Sequence, residues 1–423
     1  MTTARNCKIG LLGCGTVGQG LVDLVNRNRE LIRERSGVDL SFTRILVRDL
    51  AKRRPGVDTS LLTTQPDRVI NNGCDVVVEL VGGLEPARSF IQRALHSRKH
   101  VVTANKALVA LDGFTLLQSA SRQRVQFGFE ASVCAGIPII RALRSGLVAN
   151  SIRSIAGILN GTCNYILTRM AEAGISFDDA LREAQVKGFA EADPTLDIDG
   201  HDAAQKLKIL AEIAFGASIS SESVQVDGIR HITLDDVDTA RKLGYAVKHV
   251  AVAELEESGV SLRVHPALLP NAHPLASVRD ENNAVIVKGD AVGEMFFQGK
   301  GAGSLPSASA VLSDIVDIAS HKKSITRVSL RALPLANKDV DCRRYVRFPV
   351  AEPNAIGKIT SVLAQQGIAV DRAAATWPQS PSEHSQVKLF IDSCKESSLQ
   401  SAITTVLELN LLRGESVALP LAA

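Results

Sequence analysis

The first third of the chain alternates short runs of Val, Ile and Leu with longer stretches in which apolar residues recur at helical spacing. The apolar runs predict strands and the stretches between them predict helices. Strands are expected up to residue 12 and at 41–47, 75–81, 100–103 and 125–129. This alternation predicts right-handed strand-helix-strand units and therefore a parallel sheet.

The pattern changes after residue 130. A helix is predicted from Asp202 to Phe215, and the apolar face expected for it consists of Ala203, Leu207, Leu210 and Ala214. Farther on, 251–254 and 260–264 alternate apolar and polar residues, which predicts an antiparallel sheet with one covered face.

The last part of the chain predicts a small α+β module. Its expected elements, in order, are a strand at 345–350, a helix at 356–366, a strand at 368–374, a loop at 378–383, a strand at 386–391 and a helix at 397–409.

Composition narrows the classes of protein. At 423 residues the chain is too long for one hydrophobic core. Its 48 basic and 45 acidic residues are interleaved, so nucleic acid is not an expected partner. Seven cysteines show no disulfide or metal spacing, and no signal-peptide core or membrane-length apolar run is present. We expect no membrane association and a reducing cytoplasm.

A glycine motif, Gly13-Cys14-Gly15-Thr16-Val17-Gly18, follows the first predicted strand. Gly13 allows a tight turn, Gly15 lets backbone approach a phosphate, and Gly18 allows close packing of the helix expected from Gln19. The amides of that helix would face an anion. The alternative is an ordinary glycine-rich turn. Cys14 is either a redox-sensitive thiol, because a helix N-terminus lowers thiol pKa, or a small packed residue.

The motif predicts a Rossmann dinucleotide-binding domain and, with the patterns above, an α/β protein of three domains. These are a Rossmann parallel sheet at 1–130, an α+β substrate-binding and dimerisation domain at 131–335, and a small α+β domain at 342–423.

Four cations lie between Arg48 and Arg54, after the second predicted strand. Arginine there suits the 2′-phosphate of NADP(H), which we expect to be preferred, whereas Asp49 leaves NAD(H) open. The alternative is a solvated charge run in a loop.

Two further strand ends carry candidate groups. One strand leads through Gly82 and Gly83 into a helix, and another ends at Thr103, just before Lys106. The carboxyl edge of a parallel sheet is where ligands bind, so Lys106 is a candidate active-site residue. An ordinary turn and a surface lysine are the alternatives.

The densest polar cluster extends from Glu191 to Lys206. Its spacing lacks the ligand order of a calcium loop. Asp202 and Lys206 are four apart on the predicted helix and can pair, which would keep the lysine charged and ready to protonate a developing alkoxide. Glu191 suits an ammonium group, and Asp197 a hydroxyl or hydrated carbonyl. Capping and turn chemistry remain the alternative.

Taken together, seven strings between residues 7 and 330 resemble homoserine dehydrogenases. They are Gly10-Leu-Leu-Gly-Cys-Gly-Thr-Val-Gly18, Glu79-Leu-Val-Gly-Gly83, Val102-Thr-Ala-Asn-Lys106, Leu159-Asn-Gly-Thr-Cys-Asn-Tyr-Ile-Leu167, Glu191-Ala-Asp-Pro194, Asp197-Ile-Asp-Gly-His-Asp202 and Gly301-Ala-Gly-Ser-Leu-Pro306. The resemblance implies NAD(P)-dependent interconversion of L-homoserine and L-aspartate 4-semialdehyde, a step toward threonine, methionine and isoleucine.

The resemblance also implies roles for single residues. Lys206 is similar to the proton donor and Lys106 to a second active-site lysine. Glu191 is similar to the residue that receives the substrate amino group, with Asp197 and Asp202 ordering the polar end. The remaining expected contacts are Gly161 and Tyr165 for substrate, and Gly13, Gly15, Thr16, Val17, Gly18, Arg48, Gly82 and Thr103 for cofactor, besides Lys106.

Members of the family bind a monovalent cation, usually sodium, through backbone carbonyls. The matching positions are Glu130, Val133, Ala135 and Ile137, and Cys134 stands where the family commonly has glycine.

The tail from Tyr345 to about Leu409 resembles an ACT domain, which implies threonine as an effector. At its first turn, 351–354 reads Ala-Glu-Pro-Asn where the usual sequence is Asp-x-Pro-Gly. A left-handed Asn354 would bring a side chain into the space that glycine leaves open. A monofunctional homodimer or homotetramer is expected.

Two other hypotheses fit parts of the sequence. A Rossmann oxidoreductase of the sugar or inositol type would also use a lysine near a strand end, but it does not account for the cluster from Glu191 to Lys206. A regulator that binds nucleotide and amino acid without turnover would not need Lys106, Asp202 and Lys206. The enzyme hypothesis predicts that Lys106 and Lys206 converge beside the nicotinamide.

Overall fold

We describe the chain from a computed structural model, over residues 4–320, 330–336, 339–352, 354–376 and 385–421. Its strands in chain order are β1 Arg5–Leu12, β2 Val38–Leu46, β3 Leu62–Thr63, β4 Val76–Glu79, β5 His100–Thr103, β6 Phe127–Gly128, β7 Ile152–Ile158, β8 Ala217–Ser218, β9 Gln225–Val226, β10 Tyr245–Glu256, β11 Gly259–Pro270, β12 Asn282–Gly289, β13 Gly293–Lys300, β14 Arg331–Ala332, β15 Asp341–Val350, β16 Val370–Thr376, β17 Ser385–Lys395 and β18 Val417–Pro420.

The α-helices are α1 Thr16–Arg27, α2 Arg29–Ser36, α3 Pro66–Ile70, α4 Ala87–His96, α5 Lys106–Gln123, α6 Ile139–Arg141, α7 Gly161–Ala173, α8 Phe177–Val186, α9 Thr195–Ile198, α10 His201–Phe215, α11 Leu234–Lys242, α12 Ser304–Ala319, α13 Ala355–Gln365 and α14 Glu396–Glu408.

The chain forms two compact units, each built from three separate segments. The first unit comprises Met1–Ile155, Gln205–Ser223 and Asn283–Leu333, and the second comprises Ala156–Ala204, Val224–Asn282 and Pro334–Ala423. The division into domains at 1–130, 131–335 and 342–423 stays a prediction.

The first unit contains a six-stranded sheet in the order β3-β2-β1-β4-β5-β6. Every neighbouring pair is parallel, as the sequence predicted. This is the strand order of a Rossmann fold, in which the order reverses beside the first strand. Strand β4 is buried along its whole length, as expected for a sheet covered on both faces.

Several element boundaries differ from expectation. Helix α1 begins at Thr16 rather than Gln19, β2 begins at Val38, and β6 covers only Phe127–Gly128. Helix α1 starts earlier because Gly15, in extended conformation, serves as its N-cap directly after the turn.

Helices α1 and α12 pack against each other in the first unit. A Cβ at Gly20 would lie 2.4 Å from Ser304 Oγ, so glycine is what lets the two helices approach so closely. Ser304 also donates a hydrogen bond to the carbonyl of Thr16, 2.8 Å away. The Gly301–Pro306 string, where α12 begins, therefore braces the start of α1.

In the second unit, β10 and β11 pair antiparallel from Tyr245 and Pro270 to Glu256 and Gly259, which confirms the predicted antiparallel sheet. Strand β9 extends this pair on the far side of β11. Apolar residues of α7, α8 and α11 form a buried cluster with residues of β10.

The end of the chain forms a four-stranded antiparallel sheet in the order β16-β17-β15-β18. Residues of α13 and α14 share its hydrophobic core, so the predicted α+β module is confirmed. Strand β18 was not predicted, and the loop predicted at 378–383 lies outside the described residues. Asn354 is right-handed, with φ −65°, so the left-handed turn considered for it is wrong.

Among the described residues, we find no helix with the length and apolar character needed to cross a membrane.

Candidate active site

The glycine turn lies where the order of the parallel sheet reverses. Gly13 has φ +100°, and a Cβ there would lie 2.6 Å from the carbonyl oxygen of Leu80. A Cβ on Gly18 would lie 2.4 Å from the carbonyl oxygen of Gly13, whereas a Cβ on Gly15 would meet no atom within 4 Å. Two of the glycines are therefore required by packing. The third borders open space beside the start of α1, which suits the pyrophosphate of a dinucleotide.

The cation-rich loop after β2 is fastened to this turn by Arg54. Its guanidinium donates to the carbonyl of Cys14 at 3.3 Å and to the carbonyls of Asp49 and Lys52 at 3.0 and 2.8 Å. Arg54 therefore holds the loop against the glycine turn, a structural role that the sequence analysis did not predict. Arg48 is exposed and remains the candidate for a 2′-phosphate.

Cys14 does not have the low-pKa thiol expected at a helix N-terminus. Its burial raises the pKa of the thiol above the usual value, and the opposing effect of Arg54 is smaller. The small packed residue is the interpretation that agrees with this environment.

A buried carboxylate holds the two strand ends that carry candidate groups. Glu79, which is fully buried, accepts hydrogen bonds from the amides of Val81 and Gly82 at 2.7 and 3.0 Å. Its other oxygen accepts from the hydroxyl of Thr103 at 2.6 Å. Glu79 therefore couples the turn at Gly82 to the end of β5.

The same network fixes the start of α5, where Lys106 is the first residue. The Thr103 hydroxyl accepts from the amide of Asn105 at 3.0 Å. Asn105 in turn donates to the carbonyl of Gly83 at 2.6 Å and caps α5 by accepting from the amide of Leu108. Side-chain hydrogen bonds therefore fix the start of α5, and with it the backbone of Lys106, at the carboxyl edge of the sheet.

Helix α10 carries Lys206, whose side chain is almost fully buried. Lys208, also buried, is bonded to Glu212 at 2.7 Å. The predicted apolar face is present, with Ala203, Leu207 and Leu210 buried and Ala214 half-buried. Asp202 is buried one turn before Lys206, so the predicted placement of both residues on one helix is confirmed, and their pairing stays a prediction.

In the second unit, one amide organises the acidic cluster. Asn160 donates to the carboxylates of Asp197 and Asp202 at 2.8 and 2.9 Å, and its own oxygen caps α7 through the amide of Cys163. Thr162 donates a further hydrogen bond to Asp197 at 3.2 Å. The two aspartates are therefore held side by side at the start of α7, where Gly161 is the first helical residue.

The loop before α10 is packed against a histidine that the sequence analysis did not single out. Gly200 has φ +87°, and a Cβ there would lie 3.2 Å from His249 Nε2, which lies 3.0 Å from the carbonyl oxygen of Asp227. Burial lowers the pKa of His249 to about 4, so the ring is neutral at neutral pH.

Two predicted substrate contacts differ in exposure. Glu191 is exposed, whereas Tyr165 is buried with its ring 5.0 Å from that of Phe189 and 5.2 Å from the ammonium of Lys187. Glu191 is therefore accessible from solvent, whereas Tyr165 packs in the hydrophobic core of the second unit.

The predicted cation-binding turn lies in the first unit. Cys134 has φ +46°, so it keeps the left-handed conformation that glycine favours, and its sulfur accepts from Asn283 at 3.3 Å. Val133 and Ala135 are buried, and within the described residues their carbonyl oxygens accept no hydrogen bond. Unpartnered buried carbonyls suit a hard cation. The Glu130 carboxylate has another task, since it accepts from the amides of Ile140 and Arg141.

Of the candidate residues, the structure joins Asp197 to Asp202 through Asn160, and the turn at Gly82 to the end of β5 through Glu79. The glycine turn, Lys106 and Lys206 belong to the first unit, and Asp197, Asp202 and Glu191 belong to the second. Convergence of the lysines and carboxylates on one substrate stays a prediction. Sequence reasoning missed Glu79 and Asn160 as organising residues, although both lie in the strings quoted above; a buried strand ending in Glu was the available signal.

Two family models match the chain. The homoserine dehydrogenase NAD-binding domain matches residues 13–130, and the homoserine dehydrogenase domain matches residues 138–316. These ranges include the glycine turn, both lysines and the acidic cluster.

Named relatives agree with these matches. The homoserine dehydrogenase of Bacillus subtilis is 40% identical over 374 residues, 86% of each chain, and that of Synechocystis is 44% identical over 317 residues, 74% of this chain and 73% of its own.

Solved structures of homoserine dehydrogenases have the same fold as this chain. A homoserine dehydrogenase from Thiobacillus denitrificans superposes with a TM-score of 0.91 at 41% identity, covering 99% of this chain and 98% of its own. A hyperthermophilic archaeal homoserine dehydrogenase in complex with NADPH has a TM-score of 0.64 at 28% identity, covering 74% of this chain and 97% of its own. From the matched domains, the extent of the sequence identity and the shared fold, we conclude that this chain belongs to the homoserine dehydrogenase family.

Proposed function

We propose that this chain performs the family reaction, the reversible NAD(P)H-dependent reduction of L-aspartate 4-semialdehyde to L-homoserine, with Lys206 as proton donor and NADPH as preferred cofactor. The observation that carries the assignment of roles is the placement of two lysines in one unit. Lys106 starts a helix at the carboxyl edge of the sheet, and Lys206 is buried on α10.

The reaction requires the protein to position the substrate and cofactor and to supply one proton donor. When bound, the reduced nicotinamide supplies a hydride to the aldehyde carbon. Lys206 gives a proton from its ammonium to the aldehyde oxygen, where negative charge develops. Lys106, held by the Asn105 cap, orients cofactor or substrate at the sheet edge.

The acidic group of the second unit is proposed to hold the amino-acid end of the substrate. Glu191 receives the ammonium group, and Asp197 and Asp202, fixed by Asn160, order the polar end. Gly161 and Tyr165 border this part of the site. A carboxylate that already accepts hydrogen bonds is pre-organised, so little reorganisation accompanies binding.

The preference for NADPH rests on charge. Arg48, Lys52 and Arg53 are exposed on the loop that Arg54 fastens to the glycine turn. A guanidinium forms bidentate, charge-assisted hydrogen bonds to a phosphate, which a ribose hydroxyl cannot match. Thr16, Val17, Gly82 and Thr103 complete the proposed cofactor contacts. The archaeal family member solved with NADPH supports the choice by analogy.

A monovalent cation, sodium, is proposed at the turn that contains Cys134. The carbonyls of Glu130, Val133, Ala135 and Ile137 would hold it, and the buried carbonyls of Val133 and Ala135 support this fit. The cation would brace the turn, because it gives the buried carbonyl oxygens of Val133 and Ala135 a partner, whereas the carbonyl of Ile137 already accepts from the amide of Ile139 at 2.7 Å.

The remaining proposals concern assembly and regulation. We propose a homodimer or homotetramer in the cytoplasm, with threonine as an effector of the C-terminal α+β module. The biosynthetic role of the family supports this location.

The test compares two buried lysines on the same helix. Lys206→Met should lower kcat by about 10²- to 10⁴-fold, the usual contribution of a general acid, while NADPH binding followed by nicotinamide fluorescence is retained. Lys208→Met is the matched control, and it should lower stability through loss of the Glu212 pair but keep kcat within a few-fold. Equal kcat losses in the two variants would remove Lys206 from the mechanism.

A further inference from the structure

A cavity of about 280 Å³ lies within the first unit, between the two helices that carry the proposed catalytic lysines. Its walls include Val109 and Phe114 from α5 and Ile209 and Ile213 from α10. A volume of this size is near the lower end of small-molecule pockets, which span roughly 300 to 1,000 Å³. The cavity therefore suits a compact ligand with an apolar body.

The third wall of the cavity, beside those from α5 and α10, is formed by an irregular helical turn. The amide of Leu147 donates to the carbonyl of Ala142 at 2.8 Å, five residues back, and Ala142–Gly146 form a π-helical turn. Single π-helical turns are uncommon and frequently mark functional sites. This turn brings Leu143, Arg144 and Leu147 to the cavity.

Arg144 supplies a cation in these largely apolar surroundings. Its guanidinium lies 5.5 Å from the centre of the Phe129 ring, which also lines the cavity. Burial lowers the pKa of Arg144 from its usual value, and Asp314 and Glu130 oppose that effect. A guanidinium has five N–H donors in a fixed fork, so it can serve a neighbouring carboxylate and a ligand together.

Among the described residues, one acidic side chain lines the cavity, and the contacts found for it are with groups other than Arg144. Glu212 is held by Lys208 at 2.7 Å and also accepts from the amide of Ile219 at 3.2 Å. A ligand in the cavity would therefore meet apolar walls, a neutralised ion pair and one guanidinium.

We infer that this cavity is a second binding site, which takes a small aliphatic carboxylate with its chain between α5 and α10 and its carboxylate on Arg144. Val109 lies one helical turn after Lys106, and Ile209 one turn after Lys206. The ligand therefore lies along both helices from the lysines and is distinct from the substrate. Binding does not depend on the proposed function, whereas any effect on turnover does.

Calorimetry on the full chain tests the site with 4-methylpentanoate, and with its amide as an uncharged probe of the same shape. We expect the carboxylate to bind at least tenfold more tightly than the amide, because a charge-assisted hydrogen bond contributes about 1.5 kcal/mol or more. Arg144→Met should weaken binding of the carboxylate by a similar factor. Ala214→Leu, which fills the cavity without touching the charge, should abolish binding of both probes.

Lys206→Met is the control, and it should leave probe binding unchanged. Equal affinities for carboxylate and amide, no binding of the carboxylate, or insensitivity to Ala214→Leu would each overturn the proposal. Loss of binding in Lys206→Met, or competition with aspartate semialdehyde, would place the probe in the substrate site and also overturn it. Should the reductase activity be absent while the probe binds as expected, the proposed function fails and the second site stands.

Discussion

Replacing Glu79 by Gln tests whether one buried carboxylate sets the geometry of the proposed cofactor and lysine groups. The carboxylate accepts three hydrogen bonds, from Val81, Gly82 and Thr103, at 2.7, 3.0 and 2.6 Å. Gln has the same shape, but its amide nitrogen cannot accept, and its oxygen is uncharged.

The expected loss of stability follows from the three hydrogen bonds that Glu79 accepts. Hydrogen bonds to a charged group contribute about 1.5–3 kcal/mol each and neutral ones about 0.5–1.5, so three weakened bonds cost roughly 3 kcal/mol. The turn at Gly82 and the cap of α5 at Asn105 would both shift. Because misplacement by about 1 Å can cost 10²-fold in rate, we expect kcat to fall by about 10- to 100-fold and the KM for NADPH to rise.

Urea unfolding and steady-state kinetics measure the two effects. Glu85→Gln is the matched control, since it makes the same change on the loop that follows β4, at an exposed side chain that bonds only Ser89 among the described residues. It should change the free energy of unfolding by less than about 0.5 kcal/mol. A Glu79→Gln enzyme as stable and as active as the Glu85→Gln enzyme would refute the role given to the network.

Two further predictions concern cofactor choice and acid stability. Arg48→Ala should raise the KM for NADPH about tenfold relative to the KM for NADH, which is the loss expected for one charge-assisted hydrogen bond to phosphate. Arg54→Ala should raise both KM values alike, because it releases the loop from Cys14. Equal effects of Arg48→Ala on the two cofactors would count against phosphate recognition. Burial lowers the folded-state pKa of His249 from 6.5 to about 4, so the unfolded chain binds the proton first and stability is lost as pH falls from about 6.5 to 4. The difference of about 2.5 between the unfolded and folded pKa values corresponds to about 3 kcal/mol of stability, at 1.36 kcal/mol per pH unit. His249→Gln should therefore reduce the pH dependence of the unfolding free energy by up to that amount. An unchanged pH dependence would contradict the burial of a neutral His249.

Much of the first unit was predictable because its determinants are local. Short apolar runs separated by helical stretches specify a parallel sheet, and the glycine turn needs residues that lie within six positions of one another. The use of Gly15 as the helix N-cap was not predictable, since Thr16 is an equally favoured N-cap residue and no glutamate or proline nearby marks which of the two begins the helix.

The sequence by itself determined the strand and helix pattern, the glycine turn, and the spacing that puts Asp202 and Lys206 on one helix. Only the tertiary structure decided that Asn160 holds Asp197 and Asp202, 37 and 42 residues away, and that Glu79 reaches Thr103, 24 residues away. It also decided that α5 and α10 enclose one cavity. Periodicity and backbone preference act over a few residues, whereas these partners are chosen by packing between elements far apart in the chain, which no local pattern encodes.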